Sequence, residues 1–157
     1  KKVVANIDVG PTLLEASGLS TPKQMDGRSF WQLAKGKHIP WREYVLYEYF
    51  WERNYPHTPT MHAVRGERFK YIRYHGLWDT DELYDLQNDP HETTNLIFEL
   101  KHKETATKLN KRLFDLLAES GGTTLRLAPD RGPTFPKRHP DLSNASDFPV
   151  QFYGTSE

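Results

Sequence analysis

Cysteine is absent from the sequence. Disulfides, thiolate zinc sites and a cysteine nucleophile are therefore excluded from this chain, while the compartment stays open. An excess of charge of either sign is missing too, since 21 basic side chains meet 21 acidic ones. A neutral chain has no global field with which to draw in nucleic acid or an anionic membrane. Long apolar runs are also lacking. No stretch approaches the roughly 20 apolar residues that span a bilayer, and Lys1–Val9 has no h-region of a signal peptide. No nucleic-acid or membrane partner is expected. The first residue is Lys1 rather than Met, which points to processing or to a longer parent chain.

The apolar share of 36% is modest, and the mean hydropathy is −0.77. Aromatic residues at 13% compensate in part, because each buried ring removes a large area from water. The residues 8–18, DVGPTLLEASG, read as a helix with Asp8 as N-cap, Pro11 in the first turn and Gly18 just past the end. A short turn or helix follows over 26–36. Tyr44–Trp51 is aromatic and β-branched and reads as a strand. The 52–60 stretch, with two prolines, reads as a loop. Strands are expected from Met61 to Val64, from Phe69 to Tyr74 and from Glu82 to Leu86. Their connections are too short for helical crossovers, so an antiparallel meander follows. Asn88-Asp89-Pro90 is a turn signal. A helix is expected over about 98–118, because Leu109, Leu113, Leu116 and Leu117 share one face. One helix across one small sheet makes an α+β core. Residues 128–149 hold five of the eleven prolines and no periodic apolar face, so an extended tail is expected from about 121.

Catalytic patterns are scarce. No HExxH, HxH or EF-hand spacing occurs, and no serine lies in a GxSxG elbow. Asp79, Asp81 and Glu82 cluster, yet read as a solvated acidic turn. Arg65, Arg68, Lys70 and Arg73 read as a solvated strand face. The chain offers no catalytic set, no metal ligands and no cofactor site of its own. Binding is better served. Trp51 and His57 lie in the loop after the first strand, and His62 and Arg65 in the strand that follows. Trp can stack on a sugar ring, and Arg can hold an anion with two donors. The same residues also suit a solvated hairpin loop whose Trp51 and Tyr55 cover the core.

Three segments carry a resemblance. They are Asn6-Ile7-Asp8-Val9-Gly10-Pro11-Thr12-Leu13-Leu14 with Asp26-Gly27-Arg28-Ser29-Phe30, then Val64-Arg65-Gly66-Glu67-Arg68-Phe69-Lys70-Tyr71-Ile72, then Glu82-Leu83-Tyr84-Asp85-Leu86 through Asn95-Leu96. In this order they resemble the last third of the sulfatase family, within the alkaline phosphatase superfamily. The resemblance implies that residues 1–36 end a large α/β domain, that 37–120 form the C-terminal subdomain, and that 121–157 are a Pro-rich tail. It implies a parent that cleaves sulfuric esters, on sulfated glycans, with calcium and a formylglycine made in a C/S-x-P-x-R motif. None of those motifs maps onto this chain. The N-terminal sulfatase domain is then the expected partner, a sulfated carbohydrate the expected ligand, and export of the parent the expected location. His62 is the leading substrate contact by this resemblance, followed by His57, Trp51 and Arg65. Residues 1–36 alone would leave Leu13, Leu14, Phe30 and Trp31 open to self-association. Two alternatives stand beside this reading: a stand-alone carbohydrate-binding or interaction module, and the tail of a related phosphatase-type hydrolase.

Overall fold

A computed structural model describes residues 2–50, 60–75 and 80–122. Trp51 and His57 lie outside these residues, as does the expected tail. The described chain forms two compact units. One holds the residues up to Val45 together with Arg65–Arg68, and the other holds Leu46–Val64 and the described residues from Phe69 onward.

The first unit contains helices α1 (Val9–Ala16) and α2 (Trp31–Ala34). Helix α1 ends as its sequence dictates. Gly18 takes φ +77°, and the amides of Gly18 and Leu19 donate to Glu15 and Leu14 carbonyls at 3.0 and 2.8 Å. That pairing is a Schellman close, which a Cβ at Gly18 would strain. The start differs from the expectation. Asp8 stands at the N-cap position, but its side chain makes no capping bond. Its Oδ2 accepts from the Ala5 amide at 2.9 Å, and its Oδ1 accepts from the Arg28 amide at 2.8 Å and from the Arg42 guanidinium. A buried carboxylate takes charged and backbone donors from a distance over a local cap when these satisfy more of its lone pairs. Thr12 continues the same bracket: its hydroxyl donates to the Asp8 carbonyl at 2.6 Å and accepts from the Phe30 amide at 3.0 Å. Buried apolar residues are few in this unit. Val3 and Pro11 are buried, whereas Ile7, Val9, Leu13 and Leu19 are exposed. Of the apolar residues expected to lie open, Leu13 does, while Leu14, Phe30 and Trp31 are half-buried.

The second unit is the expected α+β core. Strands β1 (Val45–Tyr49), β2 (Met61–Arg65), β3 (Phe69–Tyr74) and β4 (Glu82–Asp85) form one sheet in the order β1-β2-β3-β4. β3 and β4 run antiparallel, with Tyr71 opposite Leu83 and Lys70 opposite Tyr84. Helix α3 (Lys103–Ser120) lies on it. Ala106, Leu109, Leu113 and Leu117 are buried at helical spacing, and they meet a sheet face that buries Val64 and Tyr71. The helix begins later than expected, after two 3₁₀ turns at Leu96–Phe98 and Leu100–His102. Asn95 sets this entry. Its Oδ1 accepts from the amides of Leu83 and Ile97 at 2.9 and 3.1 Å, tying β4 to the first turn. Gly121 closes the helix in the left-handed region at φ +78°. Among the described residues no helix is long and apolar enough to cross a membrane.

Candidate functional site

The meander sends two connections from one end of the sheet. The 50–60 segment leaves β1 and enters β2, and the 75–81 segment leaves β3 and enters β4. Three side chains of the second unit meet at that end: Glu48 near the end of β1, His62 near the start of β2, and His75 just past β3. His62 is fully buried. Its Nδ1 lies 2.7 Å from Nε2 of His75, a hydrogen bond. Its Nε2 lies 3.4 Å from Oε1 of Glu48. That contact is electrostatic, because its geometry does not make a hydrogen bond. The rings of His75 and Phe50 both meet the His62 ring edge to face, at centroid distances of 4.8 and 5.7 Å. Glu48 keeps 32% of its side chain exposed and His75 is half-buried, so the most buried member of the row is His62 at its centre.

Burial sets the protonation of this row. His62 is held below the usual imidazole range by desolvation, which outweighs the opposing pull of Glu48. His75 is pushed down to about 4 by desolvation first, then by His62 and Arg73. Both rings are therefore neutral at pH 7 in the folded chain. In the unfolded chain His75 regains its ordinary value of 6.5. Between these two values the unfolded state binds more protons, so stability is complete above about 6.5 and falls as pH drops toward 4. The melting temperature is expected to fall by several °C over that window, measured by calorimetry. The slope should flatten in His75→Gln; an equal slope in that variant would assign the loss to other groups.

Beside the histidine row lies a second buried network. The Tyr71 hydroxyl donates its one proton to Asp81 Oδ2 at 2.5 Å and lies 3.2 Å from Asn110 Oδ1. Arg73 donates to the same Asn110 oxygen at 2.8 Å and stacks on the Phe114 ring, its Cζ 5.1 Å from the centroid. Burial and the Asp81 carboxylate raise the Tyr71 hydroxyl far above its ordinary pKa. Two expectations change here. Asp81 is fully buried rather than part of a solvated turn, because Tyr71 and the Tyr74 amide reach it from β3. Arg73 is 4% exposed rather than solvated, because strand alternation turns it to the α3 side with Tyr71. Lys70, on the other face, pairs with Glu92 and lies over the Tyr84 ring at 5.4 Å. Tyr84 in turn is raised to about 12, by burial and then by its hydrogen bond to Glu82.

Of the four residues expected to touch a ligand, His62 is thus placed in the buried row. Arg65 stands exposed at the end of β2 and groups with the first unit. Trp51 and His57 lie outside the described residues. Sequence reasoning missed Glu48, His75 and Asn110. The alternation of β3 was a usable signal, since it sets Tyr71, Arg73 and His75 on one face. Asn110 carried one as well, since it stands three and seven residues before Leu113 and Leu117 on the same helix face; Glu48 gave none. Among the described residues no group of three or more His, Asp or Glu side chains could hold a metal ion.

Residues 1–119 match the family described as N-sulphoglucosamine sulphohydrolase, C-terminal. The chain is 34% identical over 154 residues to an N-acetylglucosamine-6-sulfatase of Bos taurus, which covers 78% of this chain and 27% of that protein. It is 32% identical over 129 residues to a Delta 4,5-hexuronate-2-O-sulfatase of Bacteroides thetaiotaomicron, covering 81% of this chain and 26% of that protein. A solved structure of a 2-O GAG sulfatase superposes with a TM-score of 0.66 at 30% identity, covering 78% of this chain and 27% of that one. The chain spans about a quarter of the length of these relatives.

Proposed function

The chain belongs to the C-terminal family of N-sulphoglucosamine sulphohydrolase, and from that membership we propose that it is the C-terminal part of a sulfuric ester hydrolase acting on sulfated glycans. Its part is to shape the rim of the substrate pocket. The reacting groups come from the rest of the protein, the N-terminal sulfatase domain. Ester cleavage needs a nucleophile and concentrated positive charge at the leaving sulfate. The sequence offers no C/S-x-P-x-R motif for a formylglycine, and the described residues offer no cage for calcium. The calcium and formylglycine of the whole protein are therefore assigned to its other segments.

The observation that carries this reading is the family match over residues 1–119. The relatives matched include sulfatases named for sulfated sugars, on glucosamine in one case and hexuronate in another. Trp51, His57 and Arg65 are the proposed contacts to the sugar. His62 has no surface exposed within this chain, so its proposed part is to position the start of β2 beneath the rim rather than to touch the substrate.

The test uses the full-length protein on sulfated mono- and disaccharides of uronate and glucosamine. Desulfation is expected from the full-length protein and none from residues 1–157 alone. Trp51→Ala is expected to raise KM about tenfold, near 1.4 kcal/mol of lost binding, with kcat within about twofold. That split marks binding made equally in ground and transition states. Turnover by the 157-residue chain, or a full-length Trp51→Ala enzyme that loses kcat at constant KM, would overturn the assignment.

A further inference from the structure

Four ring nitrogens lie in a row at the end of the sheet, and the number of protons on them decides what the last one can do. The row runs from Nε2 of His62, beside Glu48, through Nδ1 of His62 and Nε2 of His75, to Nδ1 of His75. The 2.7 Å contact in the middle needs one proton between its two nitrogens. With none, two lone pairs collide; with two, the N–H groups do.

Consider the neutral pair, which holds two protons. One occupies the middle contact. The other sits either on Nε2 of His62 or on Nδ1 of His75. Glu48 decides between them. A carboxylate oxygen 3.4 Å from Nε2 of His62 favours an N–H there and disfavours a bare lone pair. His62 is then protonated at Nε2 and bare at Nδ1, so the middle proton belongs to His75 Nε2. This leaves Nδ1 of His75 as a buried acceptor, and among the described residues no protein donor reaches it. Add one proton to the pair. The middle contact still holds one, and Nε2 of His62 already carries one. Only Nδ1 of His75 remains. It becomes a donor, and the pair carries one positive charge against the Glu48 carboxylate.

We propose that Glu48, His62 and His75 form a proton-operated polarity switch, in which one proton taken up by the imidazole pair turns Nδ1 of His75 from acceptor to donor. His75 stands at the root of the connection between β3 and β4. Above the titration its Nδ1 suits a hydroxyl or amide donor; below it, a carbonyl or an anion. Among the described residues, the charged groups that act on the pair are Glu48 from β1 and Arg73 from β3. The end of α3 brings Gly122, without a side chain; a Cβ there would come within 3.1 Å of Glu48 Oε1. Glu48 favours the first proton, and Arg73 opposes a second. The two rings therefore titrate as one unit on the acid side of the ordinary imidazole range. The switch stands apart from the proposed hydrolysis, because its readout needs no substrate and no turnover.

The experiment is a pH titration of the full chain labelled with ¹⁵N-histidine, read by the imidazole nitrogen shifts. At pH 8, His62 and His75 should both carry their proton on Nε2. As the pH falls toward 4.5, a proton should appear on Nδ1 of His75 while Nε2 of His62 stays protonated. In Glu48→Gln at pH 8, the last proton should redistribute toward Nδ1 of His75, shifting the tautomer ratio on the order of tenfold. A wild-type His75 that holds its proton on Nδ1 at pH 8 would refute the switch. So would a Glu48→Gln chain with unchanged tautomers, or two rings that titrate independently. Should Glu48→Gln fail to fold, the wild-type tautomers and the coupling of the two titrations decide alone.

Discussion

Asp8→Ala is expected to destabilise the first unit by about 3–5 kcal/mol, the cost of breaking a buried ion pair from one side. The carboxylate is fully buried, and its partner Arg42 keeps only 12% of its side chain exposed. Removal leaves that guanidinium without its anion. It also strands the amides of Ala5 and Arg28, which donate to the two carboxylate oxygens at 2.9 and 2.8 Å. Each of these part-buried donors, once orphaned, adds a share of its desolvation cost. Little apolar burial is available to compensate, since Val3 and Pro11 are the buried apolar residues described there. The measurement is hydrogen exchange at the Arg28 amide together with urea unfolding. Protection at Arg28 should fall by two orders of magnitude or more, as that energy implies. Wild-type protection in Asp8→Ala would mean that the bracket carries little of the stability. Asp8→Asn should do less harm, because an amide oxygen at the Oδ1 position still accepts from the Arg28 amide and the Arg42 guanidinium, and the NH₂ meets only the Ala5 amide.

Gly27→Ala is the second large effect, at about 3 kcal/mol, the upper part of what overpacking costs. A Cβ on Gly27 would stand 1.9 Å from the Ile7 carbonyl oxygen and 2.5 Å from its carbon. Both are backbone atoms, so no rotamer change relieves the clash, and one of the two chain segments must move. The segments are pressed together by Asp8 itself, which holds the next residue's amide through Oδ1. The two substitutions should therefore couple. Once Asp8→Ala has released Arg28, the two segments can part, and Gly27→Ala should cost at least 1 kcal/mol less than in the wild-type background. A double-mutant cycle in urea checks this. Strict additivity would show that Gly27 is confined by something other than the Asp8 bracket.

The same two residues show what could and could not be read from the chain. Asp8 before a helical pattern is a standard start signal, and it does stand at the N-cap position. Its true partners, Arg28 and Arg42, are 20 and 34 residues away. No local pattern encodes such a pairing. The four strands, the helix face of Leu109, Leu113 and Leu117, and the glycine closures at Gly18 and Gly121 were legible because each rests on neighbours within one or two turns. The boundaries slipped where a distant bond intervened. Asn95 holds the chain in 3₁₀ turns and delays α3 to Lys103.

The candidate site was legible only by half. His62 was singled out from the sequence as a substrate contact, and it is fully buried beside His75 and Phe50. Arg73 and Asp81 were read as solvated charges and prove to be anchored to Asn110 and Tyr71. Charge at a position is visible in a sequence; what it faces is not. A buried charge survives only with a partner, and partners are supplied by the packing of α3 on the sheet.

By itself the sequence determined the element types, the α+β class and the sulfatase resemblance, because periodicity, turn residues and short motifs are local properties of the chain. It also determined that no cysteine chemistry occurs in this chain, since a missing residue type cannot be restored by folding. Only the tertiary structure decided which polar side chains are buried and which of them pair, Glu48, His62 and His75 among them. Those outcomes depend on distances between residues far apart in the chain, and hydrogen bonds and desolvation act over a few ångströms.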